Sequence, residues 1–438
     1  MARGKKKESA LTPEEKLAQA LVPEEEQPYG VPENWCWVKL AQLCSIPITD
    51  GTHKTPTYSD RENGSPFVSA KDITSEYIDW TNIKYITKEL HTELYERLAP
   101  QKNDVLLAKN GTTGVAALVE DDRVFDLYVT IAVLRPNMGI IIPQYLLRVI
   151  NSPVSKNQFD EHLTGIGVPN LHLRDIKATA IPLPPFSEQQ RIVDRIESLF
   201  AKLDEAKEKA QSVLDSFETR KAAILHKAFT GELTAKWRAE HGVEMDSWKN
   251  QTLGDVIKVS SGKGLTAKNM VSDGLIPVYG GNGVTGYHNE SNVEPDTVVI
   301  GRVGFYCGSV HYISEPAWVT DNALIVSYKQ EINKWYLVHL LRYADLRQND
   351  SSTAQPVVSG SKIYPISIKI APIDEQAEIV RILDSLFSKE QQAKEAAEAV
   401  LEKIDLLKKS ILARAFRGEL GTNDPSEESA VELLMQVL

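Results

Sequence analysis

An α+β fold is predicted for this chain, with two β-rich domains of unlike sequence alternating with two long helices that pair as a coiled coil. Three observations predict it. Residues 185–233 align without a gap to residues 372–420 at a constant offset of 187, with 23 of 49 paired positions identical. Each copy carries apolar residues at heptad spacing, the pattern of a long helix with one narrow seam. The segments before the two copies share almost nothing with each other. Both place β-branched and aromatic runs between Gly, Asn and Asp turns, the pattern of twisted sheet with long loops.

The elements follow in order. Residues 1–30 form a basic tail and a short helix, in which Thr12 caps, Pro13 takes the first helical position and Glu15 completes a capping box. That helix is expected to run to about Val22 and to be followed by a Pro-rich linker. The first β-rich domain spans 31–184, with strands expected at 105–108 and 128–134, and the second spans 246–371, with strands at 297–300 and 323–327. Trp35 and Leu40 recur as Trp248 and Leu253 where each domain begins, and Ile176 and Ile181 recur as Ile363 and Ile368 where each closes.

In the first spacer helix, within 185–233, Ile192, Ile196, Leu199, Leu203, Ala206, Ala210, Val213, Phe217, Ile224 and Ala228 form the seam, interrupted at Arg220. In the second, within 372–420, the seam is Ile379, Leu383, Leu386, Ala393, Ala397, Val400, Ile404, Leu407, Ile411 and Ala415, interrupted at Glu390. Ser187 with Gln190, and Asp374, are expected to cap the helix starts, and Gly231 and Gly418 to end them. A helix of this length, about 65 Å at 1.5 Å per residue, outreaches either neighbouring domain, so the seams are expected to find each other rather than a sheet. Residues 234–245 are a linker, and 421–438 a tail with a helix expected over 429–438.

Net charge is −11, of which −6 lies in residues 372–438, while the two β-rich segments are −3 and 0. A lone nucleic-acid binder is usually basic, so DNA contact would need a partner that supplies phosphate-neutralising charge. The three cysteines, Cys36, Cys44 and Cys307, include no C-x-x-C pair and suggest neither a disulfide framework nor a zinc site. No apolar run reaches the length of a membrane span, and the N-terminus lacks the apolar stretch of a signal peptide, so a cytoplasmic setting is expected. Enzyme motifs are missing as well. Ser261-Gly-Lys-Gly264 lacks the spacing and the Ser/Thr of a phosphate-binding loop and reads as a turn. No nucleophile elbow, zincin motif, calcium loop or adenine-clamping Asn-Pro-Pro-Tyr is present, and Pro295-Asp296 is not followed by the E-x-K of a nuclease.

The repeated Pro-Pro-Phe-Ser-Glu-Gln-Gln-Arg-Ile-Val … Ala-Phe-Thr-Gly-Glu-Leu and Pro-Ile-Asp-Glu-Gln-Ala-Glu-Ile-Val … Ala-Phe-Arg-Gly-Glu-Leu resemble the specificity subunits of Type I restriction-modification systems, over residues 31–420. The resemblance implies two target-recognition domains, each reading one half of a bipartite DNA sequence, and helices that pair antiparallel and set the gap between half-sites. It implies a non-catalytic subunit that binds no cofactor itself. It recruits two adenine-methylating modification subunits and two restriction/translocase subunits, which use S-adenosylmethionine, ATP and Mg. Unlike domains imply an asymmetric target. The helix near Thr12 and the one over 429–438 lie outside the family pattern and are expected to close the duplicated frame or to dock a methyltransferase.

Base edges are read by Arg, Lys, Asn, Gln, Ser and Thr on loops presented to the major groove. In the first domain the candidates are Thr52, His53, Lys54 and Thr55, then Lys109, Asn110, Thr112 and Thr113 on a hairpin tip, then Asn170 and His172 in the Gly-containing loop 165–172. In the second domain the matching candidates are Tyr279 and Asn282, then Arg302 and Tyr306, then Gln355, Ser361 and Lys362. For any single residue a solvated loop is the competing explanation, so the sets carry the argument. The alternative for the whole chain is a coiled-coil scaffold joining two β-rich modules without binding DNA. An enzyme with an unrecognised site is a third reading, which the missing motifs disfavour.

Overall fold

The computed structural model describes residues 12–74, 77–164, 169–349 and 356–437. Contacts divide the chain into two compact units, residues 1–208 with 400–438, and residues 209–399. The cuts fall inside both long helices. Each unit therefore holds one β-rich domain, the start of the helix that follows it and the end of the other. No helix among the described residues is long and apolar enough to cross a membrane.

The first unit contains β1 (Cys36–Lys39), β2 (Thr49–Asp50), β3 (Tyr58–Ser59), β4 (Ser65–Val68), β5 (Lys84–Ile86), β6 (Val105–Ala108), β7 (Val115–Leu118), β8 (Asp126–Leu127), β9 (Ile131–Leu134) and β10 (Ala180–Leu183). They form two four-stranded sheets, in the orders β2-β9-β6-β7 and β3-β5-β4-β8, and the ribbon β1-β10. The central strands β6 (Val-Leu-Leu-Ala) and β9 (Ile-Ala-Val-Leu) are buried at every position, as strands covered on both faces must be. The predicted strand at 128–134 begins only at Ile131. Tyr128 instead donates its N–H to Val68 and Val129 donates to Thr52, which turns the chain away from the ladder.

The second unit contains β11 (Lys249–Thr252), β12 (Ile257–Ser261), β13 (Ile276–Gly280), β14 (Gly283–His288), β15 (Thr297–Gly301), β16 (Val310–Ile313), β17 (Trp318–Val319), β18 (Ala323–Tyr328) and β19 (Ser367–Ile370). Its sheets run β12-β18-β15-β16 and β14-β13-β17, with the ribbon β11-β19. Strand by strand this repeats the first unit, with no counterpart of β3 among the described residues. In both, a parallel pair (β4 with β8, β13 with β17) sits among antiparallel neighbours.

In each unit one ion pair joins the two long helices and a second involves a residue past the end of one of them, and together they set the sense of pairing. In the first, Arg191 pairs with Glu427 at 2.7 Å and Asp204 with Lys408 at 2.6 Å, so one segment ascends as the other descends. In the second, Arg220 pairs with Glu390 at 2.8 Å and Arg238 with Glu375 at 2.5 Å, again antiparallel. Ile192, Ile196, Ile379, Leu383, Ala397, Ile404 and Ala415 are buried as the seam requires. Val400 and Leu407 are not; they are 40% and 48% exposed.

Two helix expectations are corrected. The first spacer is two helices, Phe186–Asp215 and Phe217–Phe229, whereas the second, Ile373–Ala415, is unbroken. At the break the Ser216 hydroxyl joins its own N–H in donating to the Ser212 carbonyl, and the Arg220 guanidinium donates to the Val213 carbonyl at 3.1 Å. Ser187 and Asp374 lie inside the first turns rather than capping them, since the helices start at Phe186 and Ile373. The Ser187 hydroxyl donates to Glu427 at 2.6 Å and Gln190 donates to Asp194. Gly231 and Gly418 do take positive φ, 84° and 75°, just past the helix ends.

The first-turn residues that hold each domain to its helix are the repeated Glu-Gln pair. Glu188 is fully buried and accepts from the Trp35 indole at 2.7 Å, the Asn423 amide at 2.9 Å and the Thr422 hydroxyl at 3.1 Å. Glu375, equally buried, accepts from the Trp248 indole at 2.8 Å, the Thr234 hydroxyl at 2.6 Å and Arg238 at 2.5 Å. Gln189 and Gln376 accept from the N–H groups of Ile142 and Asn333 at 2.9 and 2.8 Å, fixing the helices Pro143–Ile150 and Lys334–Tyr343. The predicted helices at the chain ends form as Pro13–Ala20, with Thr12 and Glu15 in a reciprocal capping box, and Ala430–Met435, capped by Ser429. Both pack into the first unit, where Ala20, Ala430 and Leu434 share a core.

Candidate nucleic-acid interface

The structure brings the three predicted loops of the first domain to one place. Loop 109–114 closes the β6–β7 hairpin, and Lys109 reaches back to Asp50 at the end of β2, Nζ to Oδ2 3.2 Å. The Asn110 amide donates to the Asn170 side chain at 3.3 Å, Gly111 N–H to the Pro169 carbonyl at 3.0 Å, and Leu171 N–H to the Lys109 carbonyl at 2.7 Å. His172 meets Thr164 at 3.1 Å. Arg97, which sequence reasoning missed, donates to the Asp50 carbonyl at 3.0 Å and secures the same loop from the helix Lys88–Arg97.

Within this cluster the side chains divide by exposure. Thr52 and Lys109 are buried, Thr52 by its backbone bonds to Leu127 and Val129 and Lys109 by the ion pair. His53, Lys54, Thr55, Thr112 and His172 are exposed, and Asn110, Thr113 and Asn170 are half-buried. Lys54 pairs with Glu93 and Lys109 with Asp50, which His53 also approaches at 3.3 Å, so both of these lysines are matched by carboxylates. Residues 165–168 of the predicted third loop lie outside the described residues.

The second domain builds the same end from different residues. Arg302 follows β15 as Lys109 follows β6. Its guanidinium donates to the Ser261 hydroxyl at 3.3 Å, its N–H to the Asn322 carbonyl, and its carbonyl accepts from Val358 at 2.8 Å. The isolated bridge Val303–Val357 stands where Asn110–Asn170 stands in the first domain. The Tyr279–Asn282 turn joins β13 to β14 and abuts this cluster, the Gly281 carbonyl accepting from Ser309 at 3.0 Å. Phe305 and Tyr306 project at its tip, 81% and 55% exposed, with their rings edge-on at 5.0 Å. Ser361 is exposed and in hydrogen-bond contact with Ser359, and the Lys362 ammonium donates to the Val357 carbonyl at 2.9 Å. Asn282 is exposed and Gln355 lies outside the described residues.

One pairing between domains is corrected. The counterpart of residues 50–55 is 261–264, read from sequence as an unremarkable turn, and not Tyr279 to Asn282. A Cβ on Gly51 would sit 2.2 Å from the Leu127 carbonyl, and one on Gly262 would sit 2.3 Å from the Val319 carbonyl, so each loop crosses its parallel pair at a position only glycine fits. Thr52 N–H then bonds to Leu127 and Lys263 N–H to Val319. The two stretches share only that glycine, which is too little for sequence to align.

Beneath the first cluster, His91 Nδ1 lies 2.7 Å from Asp126, whose carboxyl is pushed above its usual value by burial. In the second domain burial, together with Arg342, holds His311 below the ordinary imidazole value, and burial raises the Tyr279 phenol. His311 is therefore neutral at pH 7 and hydrogen-bonds Ser309 at 3.1 Å. Among the described residues no group of three or more His, Cys, Asp or Glu is placed to hold a metal ion. Burial lifts the thiols of Cys36 and Cys44 to about 12, and all three cysteines are free.

Two stretches, residues 32–214 and 245–403, match the family described as the Type I restriction modification DNA specificity domain. The chain belongs to that family. Each stretch spans one β-rich domain and much of the long helix after it, which is the duplicated unit of a specificity domain seen here twice. The Type I restriction enzyme EcoBI specificity subunit of Escherichia coli is 30% identical over 213 residues, 48% of this chain and 44% of that protein. The StySPI specificity subunit of Salmonella potsdam is 23% identical over 89% of this chain and 90% of its own length. The crystal structure of the HsdS subunit from Thermoanaerobacter tengcongensis superposes with a TM-score of 0.62 at 22% identity, covering 90% of this chain and 99% of that one. A chain from a study of complex assembly and conformational transition of the type I R-M system gives a TM-score of 0.66, also at 22% identity, over 90% and 100%. At that identity the likeness to both structures is one of fold.

Proposed function

We propose that this chain is the sequence-recognition subunit of a Type I restriction-modification complex, and that each β-rich domain reads one half of an asymmetric, bipartite DNA target. One observation carries the reading. Two domains of unlike sequence build the same three-segment loop end on the same frame, Lys109–Asp50–Leu171 in one and Arg302–Ser261–Val358 in the other. A frame held constant while its exposed side chains differ is what two different half-sites require. The exposed and half-buried members (His53, Lys54, Thr55, Asn110, Thr112, Thr113, Asn170 and His172; Tyr279, Asn282, Arg302, Tyr306, Ser361 and Lys362) are the reading candidates. Thr52 and Lys109 support the loop from within, and Gln355 extends the second set.

The paired helices act in this reading as the ruler between half-sites. With a net charge of −11 and the first domain's loop lysines paired to carboxylates, partner subunits supply most of the phosphate contacts in this reading. The partners proposed are two modification subunits, which methylate adenine with S-adenosylmethionine, and two restriction/translocase subunits, which use ATP and Mg. The chain itself binds no cofactor and performs no chemistry. Mapping methylated adenines in the host genome with and without this gene tests the proposal: one bipartite, non-palindromic motif should disappear with the gene. A motif set that is unchanged, or a purified complex with no salt-dependent DNA affinity, would instead leave the scaffold reading.

A further inference from the structure

The hairpin tips β6–β7 and β15–β16 share one frame and end in opposite chemistry. In the first domain Gly111 N–H donates to the Pro169 carbonyl at 3.0 Å and Gly114 N–H to the Ala108 carbonyl at 2.9 Å. In the second, Gly304 N–H donates to Pro356 at 3.2 Å and Gly308 N–H to Gly301 at 2.8 Å. All four glycines take positive φ, from 75° to 91°. Between these anchors the first domain places Thr112 and Thr113. The second, one residue longer, places Phe305, Tyr306 and Cys307.

The aromatic tip is a tight turn. Cys307 N–H closes it onto the Gly304 carbonyl at 3.0 Å, and Ser309 N–H donates to the Tyr306 carbonyl at 3.1 Å. The Cys307 side chain is buried and roots the turn in the second unit's core. Phe305 and Tyr306 are thus the two central residues of a turn held at both ends. Phe305 joins none of the apolar clusters of the described residues in that unit, and the pinned backbone keeps its ring from folding back into them. Its apolar surface stays in water until a partner covers it.

We infer that Phe305 is an aromatic wedge, which enters a base step of the second half-site, unstacks it and kinks the duplex there. The Thr112–Thr113 tip has no apolar ring to insert, so the first half-site is read with its bases stacked. Apolar side chains act in this way in proteins that bend DNA, and stacking of a base on an aromatic ring offsets part of the unstacking. Tyr306, edge-on to Phe305 at 5.0 Å, braces the ring and carries a hydroxyl able to bond a base edge or a phosphate. DNA suits the tip better than a protein partner does. The recognition reading gives both domains the same kind of modification subunit, which would meet threonines on one tip and aromatic rings on the other. What differs between the domains in that reading is the half-site, and the inference rests on it.

The test uses the assembled complex with its modification subunits and a duplex carrying the mapped bipartite target. Fluorescent base analogues, 2-aminopurine for adenine or pyrrolocytosine for cytosine, replace single bases of either half-site, the methylated adenines excepted. Analogues at one step of the second half-site should change their emission on binding, and Phe305→Ala should abolish that change. The same variant should weaken binding about tenfold, within the range of one base–aromatic stack, and lengthen the distance between dyes on the duplex ends. Phe305→Leu, still an apolar wedge, should keep most of both effects. Phe305 is 81% exposed, so either substitution leaves the fold intact. Target-specific binding by Phe305→Ala at full strength, with no response that depends on Phe305, would overturn the wedge and leave recognition standing. Loss of modification subunits from the Phe305→Ala complex, read by sedimentation, would assign the tip to a protein partner instead. A wild-type complex with no preference for its target would overturn the recognition reading and the wedge together.

Discussion

Trp35 donates its indole N–H to the buried carboxylate of Glu188 at 2.7 Å, and Trp248 does the same to Glu375 at 2.8 Å. The same lock thus fastens both domains to the helices that follow them, but its other partners differ. Glu375 is charge-matched by Arg238, whereas Glu188 is held by the neutral Thr422 and Asn423. Glu375→Ala strands a buried guanidinium and should cost about 3–5 kcal/mol in the second unit. Glu188→Ala leaves only neutral donors unpaired and should cost about 1–3 kcal/mol in the first. Denaturant unfolding of the two variants checks the order; a larger loss for Glu188→Ala would contradict this account of the lock.

Tyr29 should behave as part of the first unit's core despite lying ahead of the family match. Tyr29→Ala removes the edge-on contact with Trp37 and the hydrogen bond to Phe416, and should destabilise that unit by about 2–4 kcal/mol. The second unit should unfold at its unchanged denaturant concentration.

His339 gives the second unit an acid sensitivity. Burial, helped by Arg342, holds the imidazole down at about 4, and neither ring nitrogen has a hydrogen-bond partner among the described residues. Asp384 is 3.8 Å away and largely exposed, so it offsets little of that cost. Because the folded value lies below the ordinary one, the contribution is present above about pH 6.5 and is lost as pH falls toward 4, up to about 3 kcal/mol. Stability curves should therefore be flatter over that window in His339→Leu; an unchanged slope would show that His339 does not set it.

Lys109 and Asn170 should fail differently in DNA binding by the assembled complex. Asn170→Ala should relax preference at one position of the first half-site, at a cost of about 1–3 kcal/mol. Lys109 shapes the loop through Asp50, so Lys109→Ala should weaken discrimination across that half-site. Titrations against a panel of single-base variants separate the two patterns.

Helix length should set the gap. Four residues added in register lengthen a helix by about 6 Å, against 3.4 Å per base pair. The methylated motif should then tolerate a spacer one or two base pairs longer. An unaltered spacer would remove the ruler from the proposed mechanism.

Periodicity and repetition are local properties, and the sequence made them legible. The constant offset of 187 marked both spacer helices, the capping box marked Thr12, and Gly231 and Gly418 marked helix ends by a backbone conformation that favours glycine. The break at Ser216 left a trace too, because Arg220 interrupts the seam it comes to serve. The three loops of the first domain were found as separate polar, Gly-containing stretches, since loop chemistry is also local.

The sequence by itself determined the duplicated frame, the unlike β-rich domains and the family. Tertiary structure alone decided which residues meet. It paired Lys109 with Asp50, turned both inward, and placed Ser261 as the counterpart of Asp50 although the two loops share a single glycine. It also laid Leu21 and Val22 along β1. A helix repeats because each turn contacts the next, so its signal survives in one dimension. A loop contact joins residues dozens of positions apart, and only the folded sheet brings them within hydrogen-bond reach.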